Sequence, residues 1–224
     1  MKFSIITWDV FLYLLKGAGL SLLIAVISVF FGTILGTLGA AAKLSKNKIL
    51  NLLANVYVEV IRGTPMMMQI TFAYLAMPAI ISLIFGKSVR FNPLITGIVA
   101  ISLNSGAYTT ELIRSGINGV DRGQFEAADT LGLTYRQKMT MVILPQAFKN
   151  ILPPLVSEFV TLIKDSSLLS TIGVVELMKS ATTVGANFYA YIPPLTVASG
   201  IYLVLNLIIS YASKKLEKRL ALSD

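Results

Sequence analysis

Apolar residues in this chain come in long runs separated by short polar breaks. The cleanest run, Gly17 to Ala42, carries no charge, and Lys43, Lys46 and Lys48 follow it at once. About 20 apolar residues cross a bilayer as a helix, so the pattern predicts a first span over 17–42. A second run over 50–85 contains Glu59, Arg62 and Pro65. Pro65 lacks a backbone donor and disfavours helix at Thr64, which predicts a kink or short unwound segment there. Further runs predict spans over 91–115, 134–171 and 191–213, with Pro145, Pro153 and Pro154 bending the fourth. Pro193 and Pro194 suit the start of the fifth, and a short helix around 174–180 is expected before it. Residues 1–16, with Lys2, Asp9, Lys16, Trp8 and Tyr13, read as a separate interfacial helix.

The pattern therefore describes an all-α, polytopic membrane protein with five transmembrane helices in one domain, 1–224. Ala40-Ala41-Ala42 imitates a signal-peptide cleavage site, but the run before it is too long for the apolar region of such a peptide. Gly32, Gly36 and Ala40 recur at four-residue spacing and give the first span a small-residue face for close helix contact. Charge sets the expected orientation. Eleven bases (Lys43, Lys46, Lys48, Arg114, Arg122, Arg136, Lys138, Lys214, Lys215, Lys218, Arg219) fall on the side that holds the C-terminus. Five (Lys2, Lys16, Lys87, Arg90, Lys179) fall on the other. The excess on one side predicts the N-terminus outside and the C-terminus in the cytoplasm.

Composition narrows the chemistry. The 224 residues are 55% hydrophobic and 13% charged, which is not the balance of a soluble domain. There is no cysteine and no histidine, so thiolate sites and the commonest general base are excluded. The net charge of +8 sits beside the spans, which favours topology over nucleic acid as its explanation. Gly86-Lys87-Ser88 imitates the end of a phosphate-binding loop, but position 81 is Ile where that motif needs glycine. The chain itself is not expected to bind ATP.

The polar break from Gln124 to Gly132 is the most informative stretch. Glu126-Ala127-Ala128 is strong helix former, Gly132 suits a left-handed C-cap, and a second helix can start near Thr134. Glu-Ala-Ala, then Gly132, then Val142-Ile143-Leu144-Pro145 resembles the cytoplasmic coupling loop (here 116–133) of ABC importer permeases. Three further segments resemble the polar amino acid permeases among them. They are Glu59-x-x-Arg62-Gly63-Thr64-Pro65-x-x-x-Gln69, Ala107-Tyr108-x-x-Glu111-x-x-Arg114-x-Gly116-Ile117, and Lys164-Asp165-Ser166-Ser167-Leu168. The resemblance implies the type I importer fold in the inner (plasma) membrane of a prokaryote. It also implies a second permease subunit, a cytoplasmic ABC ATPase dimer that binds the ATP and Mg, and an extracytoplasmic solute-binding protein. Gly123, Gln124, Glu126, Ala127, Ala128 and Gly132 are then the residues that couple to the ATPase.

Depth along each span suggests where substrate meets the chain. Thr64 to Met68, Asn104, Ser105, Glu158 and Asn206 fall near mid-membrane when each span is followed inward at about 1.5 Å per residue. Glu158, Thr161 and Asp165 share one helical face, and Asn104, Tyr108 and Glu111 share another. Charges at such depth are costly and face a cavity or a partner. Met67 and its neighbours offer an adaptable wall for an aliphatic stem. Arg62 is expected to pair with Glu59, and Glu111 with Arg114; Lys164 is a candidate partner for Glu158 or Asp165. The surplus of acids predicts a basic amino acid such as arginine or lysine, with glutamine, glutamate or cystine as alternatives within the same family. The rivals from other classes are an ion-coupled carrier, disfavoured because no inverted repeat is visible, and a structural subunit, which does not need polar groups at matched depth.

Overall fold

The computed structural model describes residues 3–221, with side chains through 215. Lys2 lies outside the described residues, as do the side chains of Lys218 and Arg219. Among the described residues every regular element is helical. Helix α1 (Trp8–Lys43) is continuous, so the interfacial segment and the first span are one element rather than two. Nothing between Trp8 and Gly17 stops a helix. Gly17 is held in it by packing, since a Cβ there would lie 3.0 Å from the backbone of Leu177.

The second apolar run divides at the expected place. Helix α2 (Lys48–Arg62) ends on Gly63, and Pro65 caps α3 (Met66–Thr71). A π-helical turn, Phe72–Ala76, leads into α4 (Met77–Phe85) without a break. Helix α5 (Pro93–Asn118) starts on the Asn92 side chain, which accepts from the N–H groups of Leu94 and Ile95. After the short α6 (Arg122–Thr130) and α7 (Tyr135–Gln137), a π turn, Lys138–Ile143, opens α8 (Leu144–Asp165). A 3-10 turn, Ser166–Ile172, follows, then α9 (Leu177–Asn187) and α10 (Ile192–Ala221). The expected helix over 174–180 begins later than its sequence suggests, because Glu176 serves as the N-cap of α9 and holds residues before it out of the helix.

Among the described residues three helices are long and apolar enough to cross a membrane by length and composition: Trp8–Lys43, Met66–Phe85 and Ile192–Lys215. Helices α5 and α8 fall outside this set because polar residues interrupt them. In α5 those residues sit inside the fold: Ser102, Asn104, Ser105, Thr109 and Thr110 are all buried. The apolar core around them is formed by Ile24, Ile70, Ile101, Leu162, Ile163 and Leu169.

Helix α1 lies against α5 along the small-residue face. A Cβ on Gly32 would come 2.6 Å from the Ser105 hydroxyl, and one on Gly36 would come 2.5 Å from the Thr109 Cβ. At the Lys43 end the two helices are tied by Glu111, which accepts from Lys43 at 2.5 Å and from Arg114 at 2.8 Å. Gly36→Val is expected to cost on the order of 1–3 kcal/mol, since the α5 backbone beneath Thr109 cannot retreat. Gly19→Ala, at a position with nothing within 4 Å of an added Cβ, serves as the control. Thermal unfolding of the purified protein in detergent should separate the two by several degrees.

Candidate functional site

The break between α2 and α3 leaves the carbonyls at the end of α2 without helical partners. Two side chains satisfy them, the Thr64 hydroxyl donating to the Val60 carbonyl at 2.8 Å and Gln69 taking the rest. The Gln69 amide donates to the Ile61 carbonyl at 2.7 Å, to the Thr64 carbonyl at 3.0 Å and to the Thr64 hydroxyl at 2.8 Å. Its oxygen accepts from the Asn104 amide of α5 at 3.0 Å. The unwound segment is thus shaped by a residue one turn into the next helix and fastened to α5.

That segment forms one wall of a polar cavity of about 450 Å³, within the range of small-molecule sites. Arg62, Gly63, Thr64, Pro65 and Met66 line this wall, Asn104 and Tyr108 of α5 the next, and Glu158, Thr161 and Asp165 of α8 the third. Asn104 is buried, and Tyr108 is 39% exposed. The Arg62 guanidinium lies 5.1 Å from the centre of the Tyr108 ring. The expected Arg62–Glu59 pair is therefore replaced by a cation–π contact that keeps the guanidinium at the cavity. Among the described residues no cation stands within salt-bridge distance of Glu158 or Asp165. Lys164 lines an adjoining cleft, between α8 and α10, with Ser157, Ser210 and Lys214, from which its charge still acts on Asp165 without forming an ion pair. The cavity accordingly presents two carboxylates and one guanidinium.

Six of the ten proposed substrate residues come together here: Thr64, Asn104, Tyr108, Glu158, Thr161 and Asp165. Four do not line it. Glu111 is occupied by Lys43 and Arg114. Ser105 is fully buried, packed against Gly32 and beside the Glu158 carboxylate, so it stands behind the lining rather than in it. Met67 opens on an apolar surface cleft with Met68 and Phe72, because the helix restarting at Met66 turns Met66 rather than Met67 inward. Asn206 on α10 lies apart from the cavity lining; depth alone did not fix which way α10 faces. Arg62, Gly63 and Pro65 were missed as lining residues, although they stood in a motif with Thr64, whereas Met66 lines the cavity as one of the neighbours of Met67 in the expected wall. An unwound turn exposes consecutive residues, a signal that helical spacing cannot carry.

The second element is α6. Asp121 caps it, accepting from the Gly123 N–H at 2.7 Å. The helix ends with Gly132 at φ 69 and a hydrogen bond from the Leu133 N–H to the Ala128 carbonyl at 3.1 Å, the wrapped C-terminal geometry expected of glycine there. Thr134 then starts α7 in a reciprocal cap with Gln137. Lys138 reaches back to Asp129 at 2.6 Å, and Gln146 of α8 donates to Gln124 at 3.1 Å. Phe125 packs on Ile117, Val120, Ile143 and Ala147. Ala128 is buried, whereas Gly123, Gln124, Glu126 and Ala127 are exposed, and Leu131 and Tyr135 are 77% and 72% exposed beside them. Helix α6 is thus pinned to α8 on its inner face and presents an outer face of mixed polarity, with Leu131 and Tyr135 exposed just beyond its end.

Comparison with known proteins gives a consistent picture. Residues 28–222 match the family model described as binding-protein-dependent transport system inner membrane component. The chain is 41% identical over 212 residues to the GlnP permease of Rickettsia bellii (strain RML369-C), named for glutamine transport, covering 95% of this chain and 94% of that one. It is 39% identical over 212 residues, with the same coverage, to the arginine transport system permease protein ArtQ of Bacillus subtilis (strain 168). A chain of the crystal structure of an amino acid ABC transporter with histidines superposes with a TM-score of 0.86 at 36% identity, covering 92% of this chain and 94% of that chain.

The role given to Gln69 is open to a direct check. Gln69→Leu fills similar space but leaves the Ile61 and Thr64 carbonyls and the Asn104 amide without their partner. A loss on the order of 1–3 kcal/mol is expected for the buried Asn104 amide, and less for the Thr64 carbonyl, which is open to the cavity. It should appear as a lowered unfolding midpoint in detergent and as faster proteolysis between α2 and α3.

Proposed function

The chain belongs to the binding-protein-dependent transport system inner membrane components and is an amino acid ABC transporter permease; on that premise we propose that it carries basic amino acids through the cavity at the α2–α3 break. The observation that supports this reading is the charge stoichiometry of the cavity. An amino acid brings one ammonium and one carboxylate. Arg62 suits the carboxylate and either acid suits the ammonium, which leaves the second acid for a cationic side chain. The relatives named for glutamine and for arginine are compatible with a shared backbone site in which the side-chain end differs.

In this reading five helical units cross the membrane, with α2 to α4 counted as one broken unit. The N-terminus lies outside, and α6 and the C-terminus lie in the cytoplasm of a prokaryotic cell. The permease works as a pair, with an identical or related copy, on a cytoplasmic ATPase dimer that binds ATP and Mg. A solute-binding protein delivers the amino acid from outside. ATPase closure presses on Glu126, Ala127, Leu131 and Tyr135, and the Lys138–Asp129, Gln146–Gln124 and Phe125 contacts carry that displacement into α8. Because α8 bears Glu158, Thr161 and Asp165, the push alters the cavity wall directly. The chain performs no hydrolysis itself.

Two outcomes test this account. Glu158→Gln in proteoliposomes, with ATPase and binding protein present, should lower arginine and lysine uptake about tenfold or more, the equivalent of about 1.4 kcal/mol or more, with basal ATP hydrolysis intact. Unchanged uptake would remove Glu158 from the site. Gly132→Val forces a branched residue into left-handed backbone at a cost on the order of 1–2 kcal/mol. Membrane insertion should survive while ATPase pull-down or substrate-stimulated hydrolysis falls; normal values for both would sink the coupling role of α6.

A further inference from the structure

Outside the cavity and α6, one buried acid has no part in either. Glu176 has no exposed surface. Its carboxylate accepts from the N–H groups of Met178 at 2.9 Å and Lys179 at 2.8 Å, at the start of α9. It also accepts from the Ser21 hydroxyl of α1 at 3.3 Å and the Tyr202 hydroxyl of α10 at 2.9 Å. The Ser21 oxygen in turn accepts from the Leu177 N–H at 3.4 Å. Every neighbour of the carboxylate donates. An ionised carboxylate offers about four acceptor sites and no donor, so this pocket matches that form. Burial pushes the Glu176 pKa up, and the four hydrogen bonds oppose the rise. The partial positive charge at the start of α9 supplies the balance that a cation would otherwise give.

Around this acid three helices meet closely. Gly17 of α1 admits Ser180 of α9, since a Cβ on Gly17 would lie 2.6 Å from the Ser180 hydroxyl. Leu14, Leu177, Ala181 and Ala198 form a small core between α1, α9 and α10. The junction also has a route to the cavity. The Tyr202 hydroxyl neighbours Ser166 as well as Glu176. Ser166 is fully buried, donates to the Ile163 carbonyl at 2.7 Å, and directly follows Asp165 in the cavity wall. Gly173, at φ 89 with nothing within 4 Å of an added Cβ, separates this wall from α9. The turn there is closed by hydrogen bonds from the Gly173 N–H to the Ser170 carbonyl at 3.2 Å and from the Val174 N–H to the Leu169 carbonyl at 3.1 Å, and Tyr202 and Ser166 lie beside each other next to it.

We propose that Glu176 is a positioning residue for transport: it binds α9 to α1 and α10 as one body, and through Tyr202 and Ser166 that body responds to what Asp165 holds. The proposal rests on the transport reading above. When a cation occupies the cavity, Asp165 is drawn toward it, Ser166 follows, and the Tyr202–Glu176 contact resets the outer body.

The test uses the assembled complex in proteoliposomes, with wild type, Tyr202→Phe, Ser166→Ala and the double variant. Basal ATP hydrolysis and hydrolysis stimulated by arginine-loaded binding protein are measured for each, together with the unfolding midpoint. Each single variant should keep basal hydrolysis and lose several-fold in the stimulation ratio. The double variant should lose no more than the worse single one, because residues on one route are non-additive. An unchanged ratio in Tyr202→Phe, additive losses, or basal and stimulated rates that fall together with the midpoint would each overturn the relay. A wild-type complex that shows no stimulation would instead overturn the transport reading itself, and the relay with it.

Discussion

The contact between α1 and α5 sets the position of nearly everything else. Glycines at 32 and 36 let the two helices approach until backbone and the first side-chain atoms touch. Close approach between apolar helices is favoured by dispersion and by small residues, since lipid removes most of the hydrophobic contrast. The approach buries Ser105, Thr109 and Thr110 of α5 on one side and so turns Asn104 and Tyr108 toward the α2–α3 break on the other. The Lys43–Glu111–Arg114 cluster then fixes the register at one end. A bulkier first helix would displace α5 and, with it, one wall of the cavity.

Against this frame the cavity follows from a deliberate failure of helix. Pro65 interrupts the second apolar run, and the freed backbone is tolerated at membrane depth because it lines a polar cavity and its carbonyls find there the donors they need. Gln69 meets that need and binds Asn104 with its remaining oxygen. One polar side chain thus connects an irregular backbone segment to the helix that carries the facing wall. Charge stays at the site because Arg62 rests over Tyr108 rather than pairing within its own helix.

Much of this was legible in the sequence, and the misses have physical causes. The apolar runs marked the long helices, the four-residue spacing of Gly32, Gly36 and Ala40 marked a contact face on α1 without naming its partner, and Pro65 marked the break. Gly132 and Thr134 marked the two ends of the turn after α6. Side-chain periodicity placed Thr161 and Asp165 with Glu158 because α8 stays helical between them. It misplaced Met67 and left Arg62 paired with Glu59, because periodicity assumes an unbroken helix where this one stops. Asn206 and Ser105 were chosen by depth, which says nothing about rotation about the helix axis. The buried Glu176 had no sequence signal beyond its place before an apolar segment; its side-chain partners lie 155 and 26 residues away.

The length of α1 has a consequence for how the molecule sits in lipid. Its 36 residues reach about 54 Å at 1.5 Å per residue, against a hydrocarbon layer of about 30 Å. Even a steep tilt of about 40° leaves about 41 Å along the membrane normal, so at least a turn or two must stand in the headgroup layer. Trp8, Leu12 and Leu15 are exposed on the terminal stretch, and Asp9 and Lys16 flank them. That stretch is mechanically continuous with the part of α1 that grips α5. Bilayer thickness therefore acts on this helix as a ruler acts on a lever: a thicker or thinner membrane changes its inclination, and the same rigid rod passes the change to the walls of the cavity.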